Sequence, residues 1–247
     1  MIRGEKHALG MTTDPFGRAL ADHHHGRRTE PLIQRDGAQT LEHPIEEFYF
    51  EEYTGDEAWA DWFDSVLEGP LLDIGAGVGK HALYFQDQFE TVAVEVSEHL
   101  VSLMDERGVE NPRRADMFDL RETFDHDRFQ SALAYGTQAG LAGSMAGLRQ
   151  FLHDLEVVTR PDGTAILDSY DPEREETSEL LGYRPDPTPG LAPRVMSFEY
   201  EEGVGDILLF RLFSPDRLRE ATVGTDWAVT DVRYGDNGSH YCAALSK

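Results

Sequence analysis

The chain has 247 residues, 40% of them hydrophobic, and a formal net charge of -25. That length suits one large domain or one domain with an attached subdomain, no run reaches the ~20 apolar residues of a membrane helix, and the acidity argues against a nucleic-acid backbone as partner. Cys242 is the only cysteine, which excludes an intrachain disulfide.

Only three lysines occur, Lys6, Lys80 and Lys247, and the acids are spread along the chain. Dense, even acidity keeps a protein hydrated and self-repelling, and salt screens that repulsion. The composition reads as adaptation to a salty cytoplasm. The opening "MIRGEKHALGMTTDPFG" lacks the apolar core of a signal peptide, so a cytoplasmic protein with no membrane association is expected.

In chain order, residues 1–10 read as dispensable, with Met11 as the natural start. Residues 1–68 read as an N-terminal cover, aromatic-rich in "HPIEEFYFEEYTGDEAWADWF", with a helix over 56–67 from Ala58, Trp59, Trp62, Phe63 and Val66. The run "DHHHGRR" does not read as a metal site, because consecutive side chains point in different directions. No metal is expected. From 69 to 247 the pattern predicts one domain. Strands are predicted at 71–74, 91–96, 128–135 and 164–169, and helices at 80–88, 97–107 and 144–159. In the last helix Met145, Leu148, Leu152, Leu155 and Val158 share a face, with Ser144 as cap. Strands alternating with helices imply a parallel sheet. The segment 183–213 reads as an insertion, a proline-rich loop followed by a hairpin over 195–201 and 206–213. A second hairpin, 227–234 with 240–245, closes the chain.

The chemistry concentrates in "LLDIGAGVGKHALYFQ", residues 71–86. A P-loop requires Ser or Thr after Gly79-Lys80 and finds His81. A G-x-G-x-x-G dinucleotide turn requires a third glycine at 80 and finds Lys80. What remains is Gly75, Gly77 and Gly79, preceded by Asp73. Glycines let a ligand approach the backbone closely. An acid at the strand end suits a cationic, amino-bearing ligand rather than a pyrophosphate. Glu95 ends the next strand, where a carboxylate can accept two ribose hydroxyls. Asp116, in "RRADMFDL", can accept from an adenine amine, and Met117 can pack on the ring. His81 and Lys80 sit in the first helical turn, facing either solvent or ligand.

These motifs, with "VAVEVS", "ADMFDL" and "VVTRPDGTAILDSYD", resemble class I S-adenosylmethionine-dependent methyltransferases over roughly 70–170. "GRAL", "YGTQAGLAGS" and "SHYCAAL" are similar to a set of bacterial and archaeal members. The resemblance implies an α/β fold: a doubly wound, seven-stranded, mostly parallel sheet with a reversed terminal strand, a Rossmann-like arrangement carrying an N-terminal helical cover and an added β-hairpin. It implies S-adenosylmethionine as cofactor, held by Asp73, Gly75, Gly77, Gly79, Glu95, Asp116, Met117 and Tyr135. It places Tyr135 and Gln138 toward the transferable methyl group. Asp168, Ser169 and Tyr170 end the next strand and either face the acceptor or support the groups that do. Tyr135, Gln138 and Asp168 are thus the candidate catalytic residues. "AYGTQAG" departs from the Asn/Asp-Pro-Pro-Tyr of amide and nucleobase methyltransferases, which favours a small-molecule acceptor. The alternatives are a protein or RNA acceptor, a nicotinamide-dependent oxidoreductase, and a non-catalytic cofactor-binding regulator.

Overall fold

The computed structural model describes residues 14–54 and 59–247. The expected start at Met11 and the beginning of the expected 56–67 helix lie outside them.

Asp14 opens helix α1 (Pro15–His24) by accepting a hydrogen bond from the Gly17 amide at 2.8 Å, and Pro15 takes the first turn, where its missing N–H costs nothing. Ala19 and Leu20 are fully buried on its inner face. A hairpin follows, β1 (Ile33–Asp36) and β2 (Gln39–Glu42), then a π-type turn, Glu46–Phe50. Helix α2 (Ala60–Val66) buries Trp62 and Phe63.

The central layer then builds in alternation. Its order along the chain is β3 (Leu71–Ile74), α3 (Lys80–Phe85), β4 (Thr91–Glu95), α4 (Glu98–Glu106), β5 (Pro112–Arg114), α5 (Leu120–Thr123), β6 (Phe129–Ala134), α6 (Met145–Val158) and β7 (Thr159–Tyr170). Ser144 caps α6 by accepting from the Gly147 amide at 3.0 Å, and Leu148, Phe151, Leu152, Leu155 and Val158 are buried along one face. Each such side chain contributes about 1.5–3 kcal/mol of hydrophobic stabilisation. After β7 come β8 (Leu191–Tyr200), β9 (Gly203–Val204), β10 (Leu208–Phe213), α7 (Pro215–Thr222), β11 (Ala228–Tyr234) and β12 (His240–Ser246).

The main sheet has seven strands in the order β11-β12-β7-β6-β3-β4-β5. Strands β3 to β7 run parallel, and β12 is antiparallel to β7. This is the doubly wound sheet with a reversed terminal strand that the sequence predicts. The chain leaves β3 in one direction and β6 in the other, so the topological switch point lies between them.

A second sheet, in the order β10-β8-β1-β2 with β9 beside β8, carries the expected added hairpin. The N-terminal cover has its helix, and it also adds a hairpin that the sequence does not announce. Four-residue strands show too little alternation to be read locally. Their place is decided by pairing across the chain, Gln34 against Phe198 and Ile33 against Glu199. Cover and insertion therefore share one sheet. The expected 164–169 strand is longer, because its partner β6 extends the ladder back to Thr159 opposite Phe129.

Candidate active site

Five parallel strands end at the same side of the main sheet, and the glycine turn lies at its switch point. Gly75, Gly77 and Gly79 all have left-handed backbone (φ 66°, 59° and 80°), which residues with a Cβ avoid. A Cβ on Gly75 would lie 2.4 Å from Gln138, and one on Gly79 would lie 2.5 Å from Val109. Gln138 thus rests over the turn itself.

Asp73 is buried on the α3 side of β3, and its Oδ2 has no hydrogen-bond partner among the described residues. Burial pushes its pKa up to about 7, opposed by an amide hydrogen bond from Ala82 and reinforced by the nearby Glu95. An orphaned, buried carboxylate oxygen beside a left-handed glycine turn fits a cationic nitrogen donor from a ligand and does not fit a phosphate.

Glu95 ends β4 and turns its carboxylate back on the loop. Oε1 accepts from the amides of Val96 (2.7 Å) and Ser97 (3.3 Å), and Oε2 accepts from that of Gly77 (3.3 Å). Burial raises its pKa and these three bonds oppose the rise. Asp116 follows β5, is exposed, and accepts from the Phe118 amide at 2.9 Å. Met117 is 7% exposed and belongs to the main core with Leu72, Ile74 and Val94. The three acids therefore do end successive strands, with Asp73 and Glu95 close enough to act on each other and Asp116 further out on the surface.

Residues from the cover reach this end. Asp14 binds the Ser97 hydroxyl, which also caps α4 through the Leu100 amide, so α1 is pinned beside the Glu95 loop. Tyr49 is the nearest side chain to the Cβ position of Gly77, at 3.6 Å. Its hydroxyl lies 2.9 Å from His43 Nε2. His81 is partly buried rather than fully solvent-facing. Its ring packs against Tyr53, Phe63 and Tyr135 at centroid distances of 5.0, 6.3 and 5.1 Å. Burial first, and then the Lys80 charge, lowers its pKa to about 4, so it is neutral at pH 7.

The last strands complete the site. Asp168 is fully buried; its Oδ1 accepts from the Thr137 amide and its Oδ2 accepts from His240 Nε2, both at 2.7 Å. Thr137 has φ 61°, an uncommon conformation for a β-branched residue, and the bond to Asp168 holds it there. The His240 side chain is 15% exposed and stands among Trp59, Tyr135 and Tyr170, with centroids 5.6, 5.9 and 5.1 Å away. Its Nδ1 has no partner among the described residues, since its remaining bond is made by the backbone amide to Asn237. Of the expected site residues, Asp73, the glycines, Glu95, Tyr135, Gln138 and Asp168 come together; Met117, next to Asp116, packs in the main core. His240 was missed. It opens a reversed strand after the "GDNG" turn, and the register of that strand sets it opposite Tyr170, from where its side chain reaches Asp168 diagonally. Two cavities, one between Arg18 and Glu201 and one lined by Ser65, Gln130 and Thr230, lie away from these residues. Among the described residues no cluster of His, Cys, Asp and Glu has the spacing to hold a metal, and no helix is long and apolar enough to cross a membrane.

Residues 72–167 match a family described as "Methyltransferase domain". A crystal structure of a SAM-dependent methyltransferase from Bacteroides fragilis, in complex with S-adenosyl-L-homocysteine, is similar with a TM-score of 0.77 at 24% identity, over 96% of each chain. CalS10, an amino pentose methyltransferase from Micromonospora echinaspora, is similar over 83% of this chain and 98% of its own, at 17% identity and a TM-score of 0.55. The 1,6-didemethyltoxoflavin-N1-methyltransferase of Burkholderia thailandensis is similar over 72% and 70%, at 19% identity and a TM-score of 0.50. Among proteins of curated function none matches this sequence. The fold of the chain is that of S-adenosylmethionine-dependent methyltransferases.

Proposed function

We propose that this chain transfers a methyl group from S-adenosylmethionine to a small-molecule acceptor. The observation that carries the reading is the orphaned Asp73 oxygen at a turn of three left-handed glycines, with Glu95 at the next strand end. Asp73 would accept from the amino group of the cofactor, Glu95 from its ribose, and Asp116 from its adenine. Gly75, Gly77 and Gly79 would admit its backbone-hugging atoms, with Met117 under the ring side and Tyr135 toward the methyl group. Bound S-adenosylmethionine supplies an electrophilic methyl on its sulfonium. The residues of the chain then have to align the acceptor, exclude water and receive a proton if the nucleophile arrives protonated. Tyr53, Phe63, His81 and Tyr135 form the apolar wall that excludes water. His240 is the base in this reading: its unpartnered Nδ1 takes the proton, while Asp168 fixes the tautomer and stabilises the imidazolium. Gln138, over the glycine turn, positions the acceptor.

Residues 1–68 act as the cover and 69–247 as the catalytic domain, with 183–213 as its insertion. Similar structures named for methyl transfer to an amino pentose and to didemethyltoxoflavin support a small acceptor. The acidity is taken as salt adaptation of a cytoplasmic enzyme of bacterial or archaeal type. Titration calorimetry with S-adenosylmethionine and NAD, followed by S-adenosylhomocysteine release across a metabolite panel, tests the core of the proposal. Binding of NAD in place of S-adenosylmethionine would sink it, and so would cofactor binding without turnover on any small molecule but with turnover on protein or RNA.

A further inference from the structure

Strand β8 alternates strictly on its inner face. Ala192, Met196, Phe198 and Tyr200 all belong to the second core cluster, and Leu208 and Leu212 of β10, paired with Met196 and Ala192, join them together with Phe210. Arg194 occupies the same face at the same period, opposite Phe210. It puts a partly buried guanidinium on the face that packs into that cluster.

A withdrawn charge normally has an opposite charge beside it. Acids outnumber bases 47 to 22 in this chain, yet among the described residues none pairs with Arg194. Its Nε donates to the Leu181 carbonyl at 2.9 Å, and one terminal nitrogen donates weakly to Gln34 Oε1 at 3.4 Å. Burial lowers its pKa, and the nearby Tyr170 and Tyr49 oppose that fall. Most of the terminal fork is therefore unspent.

The neighbours are ordered as donors. Gln34 Nε2 donates to His43 Nδ1 at 3.0 Å, which leaves the hydrogen on His43 Nε2 to be donated to the Tyr49 hydroxyl. Burial and the Arg194 charge lower the His43 pKa to about 4, so this single neutral tautomer persists at pH 7. Tyr49 accepts from His43 and keeps its own proton to give. Tyr49 stands at Gly77 and feels Glu95; Tyr170 feels Asp168 and touches the His240 ring. Arg194 is thus linked through Gln34, His43 and Tyr49 to the glycine turn, and Tyr170, packed against the same cluster as Tyr49, touches the His240 ring.

We infer that Arg194, with the Tyr49 and Tyr170 hydroxyls, binds a carboxylate of the acceptor, so that the methylated substrate is a small carboxylic acid. The planar fork of arginine matches a carboxylate through two parallel hydrogen bonds. Such an anchor would hold the acid end against β8 and present the nucleophile to His240. The inference rests on the reading of the strand ends as a methyl-transfer site.

The test uses the full chain loaded with S-adenosylhomocysteine. A panel of hydroxy- and aminocarboxylates, each with its primary amide, is titrated calorimetrically. At least one acid is expected to bind at least tenfold tighter than its amide. Arg194→Gln should abolish that preference and leave S-adenosylhomocysteine affinity within twofold. Should Arg194→Gln not fold, Arg194→Lys carries the comparison: it keeps the charge, loses the fork, and should weaken the acid at least tenfold with the amide unchanged. Equal binding of acids and amides, binding of no panel member, or a preference that survives substitution would overturn the inference. A wild-type chain that binds no S-adenosylhomocysteine would overturn the methyl-transfer reading itself, and this inference with it.

Discussion

Asp168 Oδ2 accepts a 2.7 Å hydrogen bond from Nε2 of His240, across two antiparallel strands whose facing residues are Tyr170 and His240. The carboxylate is sealed from solvent and the imidazole is not, so one group orients and the other is accessible. His240→Ala is expected to lower kcat by about 10²–10⁴, the usual worth of a positioned general base, with S-adenosylmethionine affinity within about twofold. Exogenous imidazole should restore part of the rate. Asp168→Asn keeps an acceptor for the Thr137 amide and should lower kcat without rescue by imidazole. Full activity in His240→Ala would remove the pair from the chemistry.

Asp73 makes the ligand-free protein sensitive to pH in a definite direction. Its folded-state pKa, about 7, lies above the ordinary 3.8. Its contribution to stability is therefore full below the unfolded value and is lost as pH rises through about 7. Relative to Asp73→Asn, the thermal midpoint of the ligand-free wild type should fall between pH 5 and pH 8, by the equivalent of a few kcal/mol at most, at about 1.4 kcal/mol per pKa unit. Parallel midpoints for the two proteins would mean that Asp73 stays ionised.

His81 acts with the opposite sign. Its pKa is lowered to about 4, so the stability it contributes is full above 6.5 and is lost as pH falls through about 4. His81→Phe fills the same aromatic pocket without a titrating group. Its acid-unfolding midpoint, followed by circular dichroism, should lie below that of the wild type. A higher midpoint would show that the ring is needed as a polar group.

Glu95 and Asp116 are expected to differ in weight. Glu95→Gln keeps an oxygen for part of the loop amides and should weaken S-adenosylmethionine binding by about 1–3 kcal/mol, the scale for an unpaired polar partner. Asp116→Ala, at an exposed position, should cost less. Calorimetry giving the reverse order would reassign the ribose and adenine contacts.

The charge of -25 predicts that salt stabilises the fold. Raising salt to about 1 M shortens the Debye length to about 3 Å and screens most of the self-repulsion. The thermal midpoint should climb throughout that range; a flat or falling midpoint would reject the salt-adaptation reading.

Much of the fold is legible from local pattern. Strand Leu71–Ile74 and the capped helix after Ser144 stand where periodicity and capping chemistry put them, because each is decided by neighbours three or four residues away. Asp73, the alternating glycines and Glu95 are legible for the same reason: a turn that requires left-handed backbone announces itself in glycines. The hairpin of β1 and β2 is not legible, since it is held through β1 by β8, more than 150 residues away. Met117 reads as a ring-packing residue from its place beside Asp116, and only the structure shows that it also packs in the main core. His240 and Arg194 are ordinary residues in their own segments. A histidine after a turn and an arginine in an alternating strand carry no signal until antiparallel pairing sets the first opposite Tyr170, two residues from Asp168, and the second opposite Phe210. The sequence by itself thus determined the sheet, its winding and the acidic glycine turn, all products of short-range periodicity and backbone stereochemistry. Only the tertiary structure decided which side chains meet at the strand ends, because those meetings depend on register between segments that share no local pattern.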